Sequence, residues 1–326
     1  MFAAITFIFL RNKYKMKYSK WLDKWYLTYV KPSLKKKTCE RYFEIIEKHL
    51  KVRLGDFELE EITPQEMQRY LSHLARFGNL KTGKGLSANS VNGIITVLKS
   101  SLKCAYECGE TSDCVADGIM RPKSDGRKVT CFTEKEQELL ENAVLRGVKR
   151  SHVGVVICLY TGLRIGELLA LTWADVDFEN EMIYVNKTCH YAKNDDGVYG
   201  RITDVPKTVS SKRDIPLPKK LLTILRNCKR GGKSEYVIES PSGVPIALRS
   251  YQRSFARLQD KLKIKRRGFH SLRHTFATRA LECGMDVKTL SEILGHNDAT
   301  ITLNRYAHSL LKHKREMMDK LGKRLQ

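Results

Sequence analysis

The sequence predicts a mainly α-helical chain with a small antiparallel β-sheet, divided into a helical domain and a larger α+β domain. Three observations lead to this fold class. Apolar residues recur at helical spacing from Tyr18 to Leu102, an aperiodic basic segment occupies residues 118–130, and short β-type runs lie between Met182 and Leu217. The length of 326 residues also favours about two domains.

The first predicted domain, residues 17–117, contains four helices. They cover residues 21–29, 42–50, 64–76 and 87–109. The run Thr63-Pro64-Gln65-Glu66 matches a capping box with proline at the first helical position, which predicts where the third helix begins. Ser87 is the residue at which the fourth helix opens.

The second predicted domain, residues 131–309, begins with another capping box, Thr133-Glu134-Lys135-Glu136. Its predicted helices cover residues 139–145, 153–160, 165–173, 251–262, 271–283 and 287–294, with one more beginning at residue 221. Its predicted strands cover residues 182–185, 202–207 and 213–217, with a hairpin turn at Asp196-Gly197. This order of elements indicates a mostly helical domain with one small antiparallel sheet.

Three segments lie outside these domains. Residues 1–16 form an apolar and then basic leader, in which neither a secretory signal nor a span of about twenty apolar residues fits. A translation start at Met16 is therefore left open. Residues 118–130 predict an exposed linker, because glycine, proline and basic residues interrupt every period. The amphipathic, lysine-rich residues 310–326 predict a C-terminal tail helix.

The formal net charge of +23 excludes an ordinary acidic enzyme. Most of the excess lies in residues 121–326, which carry 39 basic and 23 acidic side chains. Binding to a polyanion is the leading expectation, because each neutralised phosphate releases condensed counterions. A solvated basic surface without such a partner is the alternative.

The nine cysteines are scattered, odd in number and never spaced as C-x-x-C. This usage indicates reduced thiols and a cytoplasmic location rather than a disulfide framework or a zinc site. No membrane association and no bound metal are expected.

Four segments of the second domain carry side chains suited to chemistry on a phosphodiester. They are Tyr160-Thr-Gly-Leu-Arg164-Ile-Gly-Glu167, Val205-Pro-Lys207-Thr-Val-Ser-Ser-Lys212-Arg213-Asp-Ile-Pro-Leu217, His270-Ser-Leu-Arg273-His274 and Leu294-Gly-His296, with Tyr306 ten residues further on. A tyrosine phenol, with a pKa near ~10, attacks phosphorus only if its proton is removed and the phosphate charge is neutralised. The planar fork of arginine suits the second task.

The order and separation of these segments resemble the tyrosine recombinases, which are site-specific DNA integrases of phages and conjugative elements and their chromosome-resolving relatives. The resemblance extends over nearly all of residues 18–310. It implies a helical, SAM-like core-binding domain followed by a catalytic domain. It also implies site-specific recombination through a 3′-phosphotyrosyl intermediate, for integration or excision of a mobile element.

Carried over residue by residue, the resemblance makes Tyr306 the nucleophile and Arg164 and Arg273 the clamp on the scissile phosphate. His270 and His296 would bond that phosphate or move the phenol proton. Lys207 would protonate the departing 5′-oxygen, with Lys212 as the open alternative. Glu167 would support the Arg164 segment.

The resemblance implies no cofactor and no metal. The implied partners are double-stranded DNA and further copies of the chain in a homo-tetramer, while an excisionase or a host DNA-bending protein is an open addition. Basic residues expected to contact DNA phosphates are Lys35, Lys36, Lys37, Lys81, Lys84, Lys261, Lys263, Lys265, Arg266 and Arg267.

Two rival functions stay open at this level. Residues 280–295, with Gly284 and Asp286 at a bend, also match a helix-turn-helix of a non-enzymatic DNA-binding regulator. A type IB topoisomerase would share the phosphotyrosyl chemistry but act as a monomer. The target site, the need for accessory factors, and the choice among integration, excision, resolution and inversion are not encoded in any motif found here.

Overall fold

The structure is a computed structural model. It describes residues 16–123, 130–147, 150–193, 198–204, 212–231, 234–296, 298, 300, 318–319 and 321–325. The chain divides into two compact units, residues 1–127 and 128–326. This division falls inside the segment 118–130 for which the sequence predicts a linker.

The first unit is helical. Its helices are α1 (Tyr18–Trp25), α2 (Lys31–Ser33), α3 (Lys36–Ile45), α4 (Lys51–Leu54), α5 (Pro64–Phe77) and α6 (Ala88–Glu107). Widened π turns, Tyr26–Val30 and Ile46–Leu50, join α1 to α2 and α3 to α4, so these pairs run on as two longer rods. With α5 and α6 they make the four helices that the periodicity predicts.

The helix caps in this unit agree with the sequence in part. The hydroxyl of Ser87 accepts the N–H of Ser90 at 3.2 Å and begins α6. The hydroxyl of Thr63 accepts the N–H of Glu66 at 3.2 Å. Only this half of the predicted Thr63 capping box is seen, because the Glu66 carboxylate forms an ion pair with Arg69 at 3.0 Å.

The core of the first unit ties α1 to α6. Tyr18 and Trp21 are both fully buried. The Tyr18 hydroxyl lies 2.6 Å from the Ser101 hydroxyl, and the indole N–H of Trp21 donates to the Ser101 carbonyl at 3.0 Å. Large aromatic side chains supply much burial and need a partner for their polar atom, which one serine on α6 provides.

The first residues of the predicted linker contact the first unit. Ile119 is 3% exposed and belongs to its core. The guanidinium of Arg121 donates to the Asn92 carbonyl at 3.2 Å, and the Asn92 amide donates to the Pro122 carbonyl at 3.3 Å. An apolar side chain and these hydrogen bonds thus hold the start of the segment against α6, while Gly118, Met120 and Arg121 are exposed.

The second unit combines helices with short strands. Its helices are α7 (Glu134–Leu145), α8 (Val153–Thr161), α9 (Ile165–Ala170), α10 (Lys219–Arg230), α11 (Leu248–Lys261), α12 (His270–Glu282) and α13 (Val287–Leu294). Its strands are β1 (Val176–Asp177), β2 (Met182–Val185), β3 (Thr188–Lys193), β4 (Tyr199–Asp204) and β5 (Arg213–Pro216). The capping box predicted at Thr133 is complete, with Glu136 as its partner.

The strands form two antiparallel sheets in the described part of the chain, where the sequence predicts one. The first has the order β1-β2-β5, and the second pairs β3 with β4. The sequence misses β1 and β3. The predicted strand 202–207 corresponds to β4, in which Tyr199 pairs with Lys193 of β3. The predicted turn at Asp196-Gly197 and residues 205–207 lie outside the described residues.

The predicted helix over residues 165–173 is shorter in the structure, since α9 ends at Ala170. Beyond it the backbone pairs with another segment, because the Leu171 carbonyl accepts the N–H of Val237 at 3.0 Å. The N–H of Trp173 likewise donates to the Glu235 carbonyl at 2.8 Å. This tertiary pairing overrides the local helical pattern.

Gly162 sets the position of the helices that carry the candidate site. It ends α8 in the left-handed conformation, with φ of 66°. A Cβ at this position would lie 2.6 Å from Phe276 of α12 and 2.8 Å from Leu294 of α13. The absent side chain lets the end of α8 approach both helices.

Among the described residues, none of the helices combines the length and apolar character required to cross a bilayer. None of the nine cysteines, all of which lie in the described part of the chain, forms a disulfide.

We expect Gly162→Ala to lower the free energy of unfolding by about 3 kcal/mol, because it adds backbone strain to a steric clash. Gly147→Ala is the matched control. Gly147 also has a positive φ, 78°, but nothing lies within 4 Å of its added Cβ. Its cost should be about 1 kcal/mol. Urea unfolding of the full chain measures both, and equal losses would show that the close approach at Gly162 does not matter.

Candidate active site

Three arginines from three other elements donate hydrogen bonds to carbonyls at the carboxyl end of α13. The last carbonyls of a helix lack intrahelical partners and carry partial negative charge, so they attract cations. Gly295 ends α13 in the left-handed conformation, with φ of 64°. The three bonds are Arg213 Nε to the Ile293 carbonyl at 2.5 Å, Arg273 Nη2 to the Leu294 carbonyl at 2.6 Å, and Arg164 Nη2 to the Gly295 carbonyl at 3.0 Å.

Arg164 is held by Glu167 in the first turn of α9. One carboxylate oxygen of Glu167 accepts the backbone N–H of Arg164 at 2.9 Å, and the other accepts Nη1 at 2.7 Å. The same carboxylate therefore fixes both the main chain and the guanidinium of Arg164. The Arg164 side chain is 36% exposed, so part of it remains open to a ligand.

Arg213 of β5 shares that carboxylate. Its Nη2 lies 2.8 Å from one oxygen of Glu167 and its Nη1 lies 3.2 Å from the other. The two side chains are only 5% and 4% exposed. Burial by itself raises the pKa of Glu167, but the hydrogen bonds and charge of Arg213, together with Arg164, outweigh it and hold the pKa at about 2.

Arg273 of α12 is 2% exposed and bonded on several sides. Besides the Leu294 carbonyl, it reaches the Gly162 carbonyl through Nη1 at 2.9 Å and Nε2 of His296 through Nη2 at 2.9 Å. Because arginine can only donate, His296 accepts this bond with an unprotonated Nε2, which puts the proton of its neutral ring on Nδ1.

His270 is the first residue of α12, one turn before Arg273, and it is exposed. Its ring meets that of His274 edge to face, with the centroids 4.6 Å apart. In the described part of the chain no three His, Cys, Asp or Glu side chains cluster as metal ligands.

The side chains bonded together at the end of α13 carry a net positive charge. Arg164, Arg213 and Arg273 contribute three guanidinium groups, and Glu167 contributes one carboxylate, which leaves +2. An anion that binds to this set would therefore meet cations already fixed in place.

The structure brings together Arg164, Glu167, Arg273 and His296 of the residues singled out in the sequence, with His270 one helical turn from Arg273. Lys207 and Tyr306 lie outside the described residues. Lys212 is exposed and directly precedes β5.

Arg213 has a role that the sequence analysis did not assign. The sequence pattern that could have revealed this role is the alternation of side chains along a strand. Arg213 and Ile215 lie on the same side of β5, and Ile215 is buried. A charged residue on the core side of a strand needs a buried partner, and here that partner is Glu167.

The residues expected to contact DNA differ in the exposure of their side chains and in their ion pairs. The lysines are exposed, namely Lys35, Lys36, Lys37, Lys81, Lys84, Lys261, Lys263 and Lys265. Arg266 forms a bidentate pair with Asp260. The Arg267 side chain is 15% exposed, bonds Glu136 at 2.9 Å and stacks over Phe132. These contacts weaken the prediction for Arg267, which the structure uses internally.

Residues 131–313, more than half of the chain, match the phage integrase family, and residues 17–75 match the SAM-like N-terminal domain of phage integrases. The chain belongs to the phage integrase family. It is thus a DNA breaking and rejoining enzyme of the tyrosine recombinase class, and the regulator alternative is excluded.

Several curated proteins are similar along most of this phage integrase family member. A tyrosine recombinase XerC-like protein of Caldanaerobacter subterraneus subsp. tengcongensis is 26% identical, covering 91% of this chain and 81% of its own length. The ICEBs1 integrase of Bacillus subtilis is 28% identical, and the match covers 85% of this chain and 75% of that protein. The transposase of transposon Tn916 of Enterococcus faecalis is 28% identical, covering 85% and 70%.

Solved structures confirm the predicted fold class. The Tn1549 transposon integrase in complex with a circular intermediate DNA has a TM-score of 0.79 at 24% identity, covering 94% of this chain and 99% of that chain. A lambda integrase dimer bound to a core site has a TM-score of 0.66 at 23% identity, covering 88% and 97%. The helical and α+β organisation inferred from periodicity is thus that of integrases.

The Glu167 carboxylate gives this integrase a pH-dependent stability. Its pKa falls from 4.5 to about 2 on folding, so its contribution is complete above pH 4.5 and is lost as the pH falls toward 2. We expect the stability difference between the wild type and Glu167→Gln to be constant from pH 7 to about 5 and to shrink by about 2 kcal/mol by about pH 3.

Urea unfolding at each pH provides the measurement. Glu138→Gln, which removes an exposed carboxylate from α7, is the control for the change in formal charge. A difference between wild type and Glu167→Gln that is the same at pH 3 and pH 5 would show that Glu167 is not the buried counter-ion.

Proposed function

We propose that this enzyme cuts one DNA strand by attack of the Tyr306 phenol oxygen on the scissile phosphate. The bond from phosphorus to the phenol oxygen forms, and the bond from phosphorus to the 5′-oxygen breaks. The products are a 3′-phosphotyrosyl link and a 5′-hydroxyl. The observation that carries the proposal is the convergence of Arg164 and Arg273 on adjacent carbonyls at the end of α13.

The arginines would neutralise the charge that grows on the phosphate during attack. Arg164 is part-exposed and His270 is exposed, so the phosphate meets these side chains first. It reaches the nearly buried Arg273 where His296 now accepts a hydrogen bond. Preorganised donors of this kind each contribute on the order of 10²–10³ in rate.

Two proton transfers complete the step. His270 or His296 would assist removal of the phenol proton. Lys207 would give a proton to the departing 5′-oxygen, and Lys212 is the second candidate because it lies in the same segment. The phosphotyrosyl bond replaces one phosphodiester by another, so a 5′-hydroxyl from a second strand reverses the attack without a nucleotide cofactor.

The substrate we infer is double-stranded DNA. The positive charge of residues 121–326 favours a polyanion, and the solved integrases with the same fold are bound to DNA. A lambda integrase of this fold forms a tetramer bound to a Holliday junction, with a TM-score of 0.65. We therefore infer strand exchange by a homo-tetramer holding two duplexes. A type IB topoisomerase would instead act as a monomer.

Similar proteins also suggest the biological setting. The ICEBs1 integrase and the Tn916 transposase belong to mobile elements. We infer that this enzyme integrates or excises such an element, in the cytoplasm. An excisionase or a host DNA-bending protein would then be an additional partner.

The covalent intermediate gives a direct test. Nicked duplexes carrying the two ends of the element that encodes the chain should yield, after denaturation, a DNA-linked protein band with the wild type and none with Tyr306→Phe. The reason is that the phenyl ring lacks the attacking oxygen. Tyr184→Phe, on β2, removes a hydroxyl bonded to Asp177 and should retain the band. A band that persists in Tyr306→Phe, or that never forms with the wild type, contradicts the proposal.

A further inference from the structure

Two thiols lie side by side at the carboxyl end of α6, in the first unit. Cys104 is in the last turn of the helix and Cys108 follows it directly, and their sulfur atoms are 3.8 Å apart. Cys108 is exposed, and the hydroxyl of Tyr29 lies 3.1 Å from its sulfur. Cys104 is partly buried and lines a cavity of about 350 Å³ together with Tyr29 and Trp25. A reagent in solution can therefore reach both thiols.

The spacing of these residues is compatible with a disulfide bond. Residues four apart in an α-helix lie on one face, with Cα atoms about 6.2 Å apart by the rise and radius of the helix. Disulfides span Cα separations of about 4.4–6.8 Å, and the sulfurs need to approach by roughly 1.7 Å to form the bond. Cys108 is the C-cap of α6, and Gly109 follows it with φ of 70°. The movement thus falls on the end of the helix, where the backbone yields most easily.

The two thiols differ in their capacity to react. Burial, followed by the hydrogen bond and charge of Cys108, raises the pKa of Cys104 to about 11, so this thiol keeps its proton near neutral pH. Cys108 is exposed, and its thiolate form can accept a hydrogen bond from the Tyr29 hydroxyl. Because the thiolate is the nucleophile, Cys108 reacts first and Cys104 is the neighbour that resolves its product.

We propose that Cys104 and Cys108 form a modification site, which a small-molecule disulfide such as glutathione disulfide converts into an intramolecular disulfide. The inference is independent of the proposed function. In the first step the Cys108 thiolate attacks one sulfur of glutathione disulfide. A bond from Cys108 to glutathione forms, and one glutathione thiolate leaves.

The second step releases the other glutathione. Cys104 gives its proton to solvent and its sulfur attacks the sulfur of Cys108, so that the bond from Cys108 to glutathione breaks. The protein loses two electrons and two protons in total, and one glutathione disulfide becomes two molecules of glutathione. Because Cys104 is already in contact with Cys108, this step needs no further encounter, which offsets the small thiolate fraction of Cys104.

Cys283 provides a matched control within the same chain. It is exposed and is the C-cap of α12, as Cys108 is the C-cap of α6, and a glycine with positive φ follows each of them. The N–H of each cysteine bonds the carbonyl four residues earlier at 2.9 Å. That earlier residue is Cys104 in α6 but Arg279 in α12. An exposed thiol of this kind without a neighbouring thiol should stop at the mixed disulfide with glutathione.

The experiment treats the full chain with glutathione disulfide, stops the reaction with acid and maps the modified peptides by mass spectrometry. We expect the wild type to carry the Cys104–Cys108 disulfide, with the mixed disulfide at Cys108 at least about tenfold less abundant, because the second step is intramolecular. Cys283 should carry the mixed disulfide. Excess dithiol reductant should reverse both modifications.

Two variants test the order of the steps. Cys104→Ser removes the resolving thiol, so Cys108 should accumulate the mixed disulfide to within about twofold of Cys283. In Cys108→Ser, Cys104 should be modified at least about tenfold more slowly than Cys283, because burial still suppresses its thiolate. Modification of Cys104 in this variant as fast as Cys283 would overturn the assignment of Cys108 as the attacking thiol.

The wild type decides the proposal itself and needs no variant to fold. Absence of the Cys104–Cys108 disulfide overturns the site, whether Cys108 then keeps a stable mixed disulfide or both thiols stay unmodified. A stable mixed disulfide at Cys108 would show that the two sulfurs do not meet, and unmodified thiols would show that neither is available to a small disulfide. Formation of the disulfide with the mixed disulfide confined to Cys283 supports it.

Discussion

The bonding of three guanidinium groups to successive carbonyls at the end of α13 is the interaction on which the candidate site depends. Like charges repel, and the assembly forms because a helix end and the Glu167 carboxylate supply opposing negative charge. Arginine keeps its proton at any ordinary pH, so the group cannot relieve the repulsion by losing charge. The compensation is incomplete, and the remaining positive charge is what a phosphate would neutralise.

Backbone geometry places main-chain carbonyls where these arginines can bond them. Gly162 and Gly295 end α8 and α13 in left-handed conformations, and their carbonyls bond Arg273 and Arg164 respectively. The guanidinium groups are thus held by fixed main-chain dipoles, which need little rearrangement when charge develops in a reaction. The same bend at Gly284 that resembles a helix-turn-helix serves here to return α13 to α12, where Arg273 lies.

The sequence predicted the features that local patterns determine, such as the positions of helices. Periodicity and caps placed most helices within a few residues, and the resemblance named Arg164, Glu167, Arg273 and His296, which the structure then brings together. It missed β1 because a strand of two residues is too short to show an alternating pattern. It missed the early end of α9 because the backbone beyond Ala170 pairs with the distant residues Glu235 and Val237. It gave Arg213 no role because only tertiary structure shows that this strand residue faces Glu167. The predictions for Lys207 and Tyr306 lie beyond the described residues.

The most direct test of the clamp uses a nicked duplex whose scissile phosphate carries a methyl group in place of one non-bridging oxygen. This change removes the negative charge that the arginines are held to neutralise. We predict that the loss caused by Arg164→Ala, on the order of 10²-fold or more in single-turnover cleavage of the normal phosphate, shrinks at least about tenfold on the methylated one. An equal loss on both substrates would contradict the account, because Arg164 would then act on something other than the phosphate charge.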